Sequence, residues 1–463
     1  MRSWPTTGQG TYGSCSTCGA HGGNAVRGAL RVADMPWALQ SHLAANGLHR
    51  LMERRVLAGV PARAQLAGGS AARNEEAGDL ESTRCDGAAD DEGRADAGDQ
   101  PDDVVSEDGR VRVVSASLLT MGIALDATYS LGEGLSGVGL YSREIQFGLA
   151  QAHPEVAFEW WYRWKAYRRS RAAALPPQVR RRLLAEPLWG PQGADLFHGL
   201  NQRLPQARMR RAIATFHDLF VMTGEYSTPE FRKRFTGQAK DAAARADAII
   251  AVSDFTGRQV VELLGYPKDQ VLVVHHGTRS LRFPDLPREK VVLSVGAIQK
   301  RKNTARLVEA FESLGGEWRL VLAGSFGYGA GEIGQRIEAC RVRERISVLG
   351  YVTLEELAKW YARASIFAFP SLDEGFGMPV LEAMAAGVPV MTSNTSALPE
   401  VAGDAALLVD PRDAEEIAGA LRRLAADETL RDELAEKGRI RARWFNWEKA
   451  VSETWKVYRR ITA

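Results

Sequence analysis

Short apolar runs alternate with longer amphipathic segments from Val111 to the end of the chain. Runs such as residues 248–252, 291–295 and 365–369 contain mostly apolar side chains, with no polar residue at every second position. Strands of this kind need cover on both faces, as in parallel sheets flanked by helices. Segments between the runs, such as residues 137–150, have apolar residues at helical spacing. The pattern predicts an α/β protein built from doubly wound, Rossmann-like domains.

The alternation falls into two blocks separated by a segment of helix and strand breakers. Residues 276–290 contain Gly277, Pro284 and Pro287, as expected for a connection between domains. At 463 residues the chain is also too long for one ordinary core. The predicted units are an extension at 1–110, a first domain at 111–284, a second at 285–445 and a terminal helix at 446–463.

The extension has a composition that is poor in core-forming residues. It is rich in Ala, Gly, Arg and Asp, and residues 74–109 contain no aromatic side chain. Little apolar surface is then available to offset the entropy of ordering, so we expect residues 1–110 to be disordered. Cys15, Cys18 and His21 have the spacing of metal ligands, but no second cysteine pair follows them. We therefore do not expect a zinc site in the extension.

Two glutamates eight positions apart lie in a stretch that reads as strand, glycine loop and helix. Glu374 follows the apolar run 365–369, and Pro379 marks the start of a helix that contains Glu382. Gly375 and Gly377 allow the backbone close to a ligand, and free N–H groups at a helix N-terminus attract anions. Two carboxylates beside such an end can hold a ribose and a sugar on either side of a phosphate. The alternative is a solvated Glu374 and a Glu382 that only stabilises the first turn.

The sequence of residues 374–390, Glu-Gly-Phe-Gly-Met-Pro-Val-Leu-Glu-Ala-Met-Ala-Ala-Gly-Val-Pro-Val, resembles the signature of the family-four retaining glycosyltransferases. The resemblance implies the GT-B fold, in which two Rossmann-like domains face each other across a cleft. It also implies that Glu374 contacts the donor sugar and Glu382 the nucleotide ribose. Gly375 and the backbone amides of Phe376, Gly377 and Met378 would surround the sugar hydroxyls.

Two further motifs resemble the donor site of the same family. The sequence Phe-His-Asp-Leu implies that His217 reaches the donor sugar from the first domain, with Asp218 orienting it or capping a turn. A structural His–Asp pair is the alternative. Arg301 and Lys302 match a basic pair that contacts the donor diphosphate, although Ala297 replaces an arginine often found in the family. Solvated basic residues before a helix would look the same.

The remaining site predictions concern two glycine-containing turns. By resemblance, the turn of Gly350, Tyr351 and Val352 edges the nucleobase. Residues 132–137 fit the pattern G-x-G-x-x-G, which by itself is weak evidence for a dinucleotide site. The family has a similar loop facing the cleft, so the resemblance implies a loop that faces a phosphate or the acceptor, and a purely structural turn is the alternative. The cleft or acceptor-side candidates there are Gly137, Val138, Gly139 and, from the other motif, Asp218.

Charge is distributed unevenly although the net charge is only +2. Residues 75–108 carry fourteen acidic and two basic side chains, whereas residues 160–184 carry eight basic and no acidic ones. Aromatic residues interleave with these arginines, which suits an anionic membrane surface. A strand pair with solvated arginines is the alternative. No nucleic-acid-binding module accompanies the segment, so we expect no nucleic-acid partner.

The sequence thus predicts a retaining glycosyltransferase that moves a hexose from a nucleoside diphosphate sugar to a glycan or lipid-linked acceptor. A mannosyl donor is suggested only by the neighbourhood of Phe-His-Asp-Leu. The chain contains no Asp-x-Asp triplet, so no metal and no other cofactor are expected. No secretory signal or membrane span is evident, which predicts a cytoplasmic protein, peripheral at the inner face of the membrane. The alternatives are an inactive nucleotide-sugar-binding protein and, from the glycine pattern alone, an NAD-dependent oxidoreductase.

Overall fold

The computed structural model describes residues 121–132 and 134–463. The predictions of a disordered extension, of no zinc site at Cys15, Cys18 and His21, and of a strand beginning at Val111 lie outside these residues. Within them, the alternating pattern forms two sheets, and every pair of neighbouring strands is parallel.

The first sheet has seven strands in the order β3-β2-β1-β4-β5-β6-β7. Its strands are β1 (Ile123–Asp126), β2 (Phe158–Arg163), β3 (Val179–Leu184), β4 (Leu196–Gly199), β5 (Ala212–Phe216), β6 (Ala248–Ala251) and β7 (Val271–Val273). The accompanying helices are α1 (Gly137–Ala152), α2 (Trp164–Ser170), α3 (Phe220–Thr223), α4 (Pro229–Arg245) and α5 (Asp254–Leu264). These elements form the first domain.

The second sheet has six strands in the order β10-β9-β8-β11-β12-β13. Its strands are β8 (Glu289–Val295), β9 (Arg319–Ala323), β10 (Ile346–Gly350), β11 (Ala364–Phe369), β12 (Val390–Ser393) and β13 (Ala406–Val409). The following helices are α6 (Thr304–Phe311), α7 (Ala330–Glu338), α8 (Leu354–Arg363), α9 (Met378–Ala385), α10 (Leu398–Ala402), α11 (Ala414–Ala426), α12 (Glu428–Arg443) and α13 (Trp447–Thr462). All of these except α13 form the second domain.

Both sheets are buried on two faces, which is why their strands contain apolar residues without alternation. All five residues of β5 and all four of β6 are buried. Side chains of β1 pack on opposite faces, with Ile123 in one apolar cluster and Ala124 in another. In the second sheet, Leu293 and Val292 are divided between two clusters in the same way. The fold class predicted from the sequence is confirmed.

Helix α13 leaves the second domain and packs against the first sheet. Tyr458 donates to or accepts from His198 Nδ1 at 2.7 Å, and both residues are fully buried. A side chain at position 148 would collide with Val451, so Gly148 permits the close approach of α1 and α13. The helical conformation is interrupted between α12 and α13, and Asn446 caps the start of α13 by accepting a hydrogen bond from the backbone of Lys449. Trp444 and Phe445 lie between the two helices.

The order of strands determines where a ligand can bind. In both sheets the chain reverses its winding direction beside the first strand of the domain, between β1 and β4 and between β8 and β11. Loops diverge at such a switch point and leave a crevice beyond the carboxyl ends of the strands. The two predicted motifs, residues 296–303 and 370–377, follow β8 and β11. They therefore flank the switch point of the second sheet.

Candidate active site

Glu374 is held by two cations at the switch point of the second sheet. Lys302 Nζ lies 2.6 Å from Glu374 Oε1, and Arg301 Nη1 lies 3.0 Å from Oε2. Ser371 donates a further hydrogen bond of 2.7 Å to Oε1. Burial raises the pKa of the Glu374 carboxyl, but the two cations outweigh it and lower the pKa to about 2. The carboxylate is therefore ionised at neutral pH although only 7% of the residue is exposed.

The loops after β8 and β11 are joined by their backbones as well as by this ion pair. Leu372 N donates to Arg301 O at 2.9 Å, and the Arg301 guanidinium donates to Asp373 O. Asn303 has a φ of 58° and donates from its side chain to Pro370 O at 3.0 Å. These contacts fix Arg301 and Lys302 relative to Glu374. The three predicted side chains are brought together, and their orientation depends on Ser371 and Asn303, which sequence reasoning did not single out.

Glu382 lies within α9 and is almost fully buried. Arg279 Nε donates to its Oε1 at 2.9 Å, and Tyr361 OH donates to its Oε2 at 2.9 Å. Burial raises the pKa of Glu382, and the Arg279 charge and both hydrogen bonds reduce that rise. Sequence reasoning missed both partners, because Arg279 lies in the irregular interdomain segment and Tyr361 reads as an apolar position of α8.

The turn into α9 is shaped by glycines. Gly377 has a φ of 107°, in the left-handed region that favours glycine. A Cβ atom at Gly375 would lie 1.7 Å from His217 O, so only glycine fits there. Phe376 and Met378 are buried beside these glycines. The loop that begins α9 thus rests directly on the backbone of the first domain at His217.

Other contacts hold the same loop against the first domain. Ser253 Oγ donates to Gly375 O at 2.7 Å, and Thr256 Oγ1 donates to the same carbonyl at 3.2 Å. Ser253 also caps α5 by accepting from Thr256 N. Thr223 donates to the carboxylate of Asp373. The two domains are therefore in contact across the cleft at the predicted donor loop.

His217 follows β5 and faces this loop from the first domain. Its side chain is buried, and Nε2 lies 3.0 Å from Leu200 O. Burial lowers the pKa of His217 to about 4, against a smaller opposing effect of the Leu200 carbonyl, so the ring is neutral at pH 7. The prediction that Asp218 orients the ring is wrong, because the ring nitrogen Nε2 is held by the Leu200 carbonyl.

Asp218 instead belongs to the charged group around Glu374. Burial raises its pKa to about 6, and the nearby Arg301 limits this rise while Glu374 and Asp373 add to it. Its Cβ lies beside Gly375, since a Cβ atom placed on that glycine would be 2.9 Å away. Asp218 therefore lies in the cleft, on the side of the first domain.

The glycine loop after β1 also reaches the second domain. Ser136 caps α1 by accepting from Gly139 N at 3.2 Å, and Arg279 Nη2 donates to Leu135 O at 3.1 Å. A Cβ on Gly137 would lie 4.0 Å from the Met378 side chain. Gly137, Val138 and Gly139 form the first turn of α1. This turn is consequently placed opposite the start of α9.

The second glycine turn follows β10, where Gly350 has a φ of 69°. Tyr351 is 62% exposed, and its hydroxyl lies beside Gly134 of the glycine loop. Val352 packs on an apolar cluster of the second domain. The turn thus leaves an exposed aromatic side chain beside the glycine loop of the first domain.

The basic segment 160–184 is divided between core and surface. Trp160, Trp161 and Tyr162 are buried in β2, which pairs with β3 in the strand pair that the sequence left as an alternative. The aromatic side chains of β2 therefore cannot face a membrane. Trp164, at the start of α2, is 60% exposed, and the arginines of and just after that helix point to solvent. None of the helices in the described residues is sufficiently long and apolar to cross a bilayer.

One group of residues has the spacing of metal ligands. Ligand atoms of Asp254, His275 and Glu400 lie within 4.8 Å of one another. The Glu400 carboxylate, however, already accepts from Asp254 N at 2.8 Å, Phe255 N at 3.2 Å and His275 Nε2 at 2.7 Å. It caps the first turn of α5 from the second domain. These hydrogen bonds explain why the three residues lie close together, as part of the contact between the two domains.

Two facing Rossmann-like domains with a charged site at the switch point of the second define the GT-B class of protein. The family model described as "Glycosyl transferases group 1" matches residues 281–441, and the model "Glycosyltransferase Family 4" matches residues 138–279. The chain belongs to the family-four glycosyltransferases. It is accordingly a glycosyltransferase by family and not the oxidoreductase considered from the glycine pattern.

Similar proteins agree with this assignment. The O-antigen chain mannosyltransferase B of Escherichia coli is 34% identical over 282 residues, which are 57% of this chain and 74% of the relative. A D-inositol 3-phosphate glycosyltransferase of Nocardioides is 32% identical over 297 residues, covering 56% of this chain and 64% of that protein. The structure of a sucrose-phosphate synthase from Thermosynechococcus elongatus superposes with a TM-score of 0.61 at 25% identity, covering 73% of this chain and 98% of that one.

Proposed function

We propose that the chain is a retaining, metal-independent hexosyltransferase that uses a nucleoside diphosphate sugar and a glycan or lipid-linked acceptor. The observation that carries the proposal is the ion pairing of Glu374 with Arg301 and Lys302 at the switch point of the second sheet. Mannose is the first candidate for the sugar because the Escherichia coli relative is named as a mannosyltransferase.

The nucleotide would lie along the carboxyl edge of the second sheet. Glu382 uses one lone pair on each oxygen for Arg279 and Tyr361, so each oxygen can still accept from a ribose hydroxyl. Tyr351 offers its ring to the base. This arrangement places the ribose beside α9 and the base at the rim.

The diphosphate would bind between the basic residues and the start of α9. Arg301 and Lys302 place two cations in a site where little water screens them, and the raised pKa values of the neighbouring Asp218 and Asp373 reduce the opposing negative charge. The backbone N–H groups at the start of α9 add a partial positive charge. These groups favour the leaving diphosphate, whose negative charge increases as the glycosidic bond breaks. No metal ion is required in this arrangement.

Glu374 and His217 would contact the transferred sugar from opposite domains. The carboxylate is ionised and can accept from sugar hydroxyls, while the neutral imidazole faces the loop that follows Glu374. A ring held from both sides presents its anomeric carbon in a fixed orientation, which is where positioning contributes to rate.

In the transfer step, the bond between the anomeric carbon and the phosphate oxygen breaks and the nucleoside diphosphate leaves. The acceptor hydroxyl oxygen bonds to the same carbon from the same face, and its proton passes to the departing phosphate oxygen. This route retains the anomeric configuration. Glu374 is paired with two cations and has a pKa of about 2, which makes it a poor base and favours the phosphate as the proton acceptor.

We also propose that the acceptor is presented at an anionic membrane surface by α2. Trp164 and the exposed side chains of Arg168, Arg169 and Arg171 carry this part of the proposal. Arg169 donates to Leu131 O in the glycine loop, so a lipid headgroup bound at α2 would lie near the cleft.

The test uses purified protein and a panel of GDP-, UDP- and ADP-sugars. Thermal shifts identify the donor, and transfer is then measured with a chelator present and absent. The anomeric configuration of the product is read by proton NMR. Transfer with retention and without a chelator effect is expected. An inverted product, or activity abolished by the chelator and restored by a divalent metal, contradicts the mechanism, and binding without hydrolysis or transfer supports the inactive binding protein.

A further inference from the structure

His276 lies in the connection between the two domains and is enclosed by aromatic rings. Only 3% of the residue is exposed. Its ring stacks on Tyr141 of α1, with centroids 4.9 Å apart and 26° between planes. The ring of Phe376, in the loop that begins α9, is 4.8 Å away, and that of Trp447 in α13 is 5.9 Å away. Elements of both domains therefore fix the imidazole where the two domains meet.

Neither ring nitrogen of His276 has a partner among residues 121–132 and 134–463. Burial, with a smaller effect of the neighbouring His217 and His275, lowers its pKa well below the usual value, so the ring is neutral. A neutral imidazole carries one N–H donor and one acceptor nitrogen. Leaving such a buried group unpaired is destabilising. A phenylalanine would provide the same ring packing without that cost, so packing alone does not explain the histidine.

His217 has a matching unpaired nitrogen beside it. The two imidazole centroids are 5.3 Å apart, with 65° between the planes. Nε2 of His217 donates its proton to Leu200 O, which leaves Nδ1 as the acceptor, and Nδ1 is also buried without a protein partner among the described residues. One histidine thus offers an acceptor and the other can offer a donor. A hydroxyl group, which donates one hydrogen bond and accepts another, is complementary to this pair.

We propose that His276 is a second binding residue for the transferred sugar, and that His276 and His217 hold the same hydroxyl group of the donor. The hydroxyl donates to His217 Nδ1 and accepts from the N–H of His276. Phe376 contacts His276 and belongs to the loop that carries Glu374, which places the hydroxyl on the donor side of the cleft. This inference rests on the proposed donor site, and it adds a sugar contact from the interdomain segment, where the sequence indicates only a linker.

The central experiment compares the affinity for a nucleoside diphosphate sugar with that for the same nucleoside diphosphate, measured by calorimetry. In His276→Phe the aromatic stack remains while both nitrogens are lost. We expect this variant to bind the sugar nucleotide about five- to tenfold more weakly, the scale of one lost hydrogen bond, with unchanged affinity for the diphosphate. His153→Phe is the matched control. His153 also stacks on an aromatic ring, that of Trp455, with centroids 3.7 Å apart, and it lies at the end of α1 away from the cleft.

Two further measurements complement His276→Phe, and the second does not depend on the folding of any variant. His276→Gln retains a donor and an acceptor and should lose less affinity than His276→Phe. With the unaltered protein, donor analogues that each lack one sugar hydroxyl should include one that binds about five- to tenfold more weakly than the complete donor. The His217→Phe/His276→Phe double variant should bind the sugar nucleotide no more weakly than whichever single variant has the lower affinity, because both residues would hold the same hydroxyl group.

The inference is overturned if His276→Phe and His276→Gln keep the affinity ratio of the unaltered protein. It is also overturned if they weaken both ligands equally, which indicates a structural role, or if only the acceptor KM rises. Failure of the proposed function looks different, because the unaltered protein would then bind no nucleoside diphosphate sugar and transfer none.

Discussion

Lys302 Nζ lies 2.6 Å from Glu374 Oε1, so a residue predicted to hold the diphosphate is ion-paired with the residue predicted to hold the sugar. Both side chains are largely buried, with 15% and 9% of their surface exposed. The pair therefore acts as one unit, in which a change to either residue alters the charge and orientation of the other.

Lys302→Ala should lower kcat by about 100-fold or more, because it removes a preorganised cation from charge that grows in the transition state. The donor KM should change less. Steady-state kinetics against donor concentration measures both values, with folding checked by circular dichroism. Lys300→Ala is the matched control, since Lys300 is exposed in the same short turn. A raised KM with unchanged kcat would instead assign Lys302 to ground-state binding.

Glu374→Ala should also lower kcat strongly, and the double variant with Lys302→Ala should lose less than the product of the two single losses. The physical reason is that each single variant leaves a buried charge without one of the groups that stabilise it, whereas the double variant removes both charges of the pair. Kinetics of the four proteins forms the cycle. Fully multiplicative losses would show that the two residues act independently, despite their contact.

Gly375→Ala should lower kcat/KM by about 100-fold, because a Cβ atom would lie 1.7 Å from His217 O and force the loop away from the first domain. The fold of each domain should remain, so thermal unfolding should change little in comparison. Gly237→Ala in α4 is the control, since no atom lies within 4 Å of its added Cβ. Unaltered kinetics in Gly375→Ala would argue against the observed contact between the domains in the active form.

Replacing Arg168, Arg169 and Arg171 by Glu should weaken binding to anionic vesicles and leave donor affinity unchanged. Each basic residue near such a surface contributes on the order of 1 kcal/mol. Vesicle sedimentation at several lipid concentrations measures the effect. Lys233, Arg234 and Arg258, exposed on α4 and α5, provide a control with the same change in charge. Equal vesicle binding by the two triple variants would remove α2 as the membrane-contacting helix.

The sequence predicts the two sheets because strands buried on both faces leave a clear apolar signal. It also locates Glu374, Lys302 and His217, since each follows a strand at the carboxyl edge. It does not predict what these side chains contact. The pairing of Arg279 with Glu382 joins an irregular segment to a helix 103 positions later, and no local pattern encodes such a contact. The sequence groups Trp160 and Trp161 with the surface arginines, because β2 lies next to a basic helix along the chain, whereas the structure buries both side chains in the core.

The pairing of Arg279 with Glu382 leads to the last prediction, which concerns binding of the ribose. Glu382→Ala should raise the donor KM by about tenfold or more with little change in kcat, since ribose contacts differ little between ground and transition states. Arg279→Met should change the pH dependence of the donor KM. Burial already raises the pKa of Glu382, and Arg279 opposes that effect, so its removal raises the pKa further. The protonated carboxyl accepts fewer hydrogen bonds from the ribose. As the pH is lowered, the donor KM of Arg279→Met should therefore begin to rise at a higher pH than the donor KM of the unaltered protein.

The measurement is donor KM between pH 5 and pH 8 for Arg279→Met, Arg279→Lys and Arg282→Met. Arg279→Lys keeps a cation near Glu382 and should shift the profile less. Arg282 is exposed in the same segment, so Arg282→Met should follow the unaltered protein. If Arg279→Met and Arg282→Met gave the same pH profile of donor KM, Arg279 would have no effect on the ionisation of Glu382. If Glu382→Ala also kept a normal donor KM, the ribose would have to bind elsewhere, because this carboxylate is the group on which its placement depends.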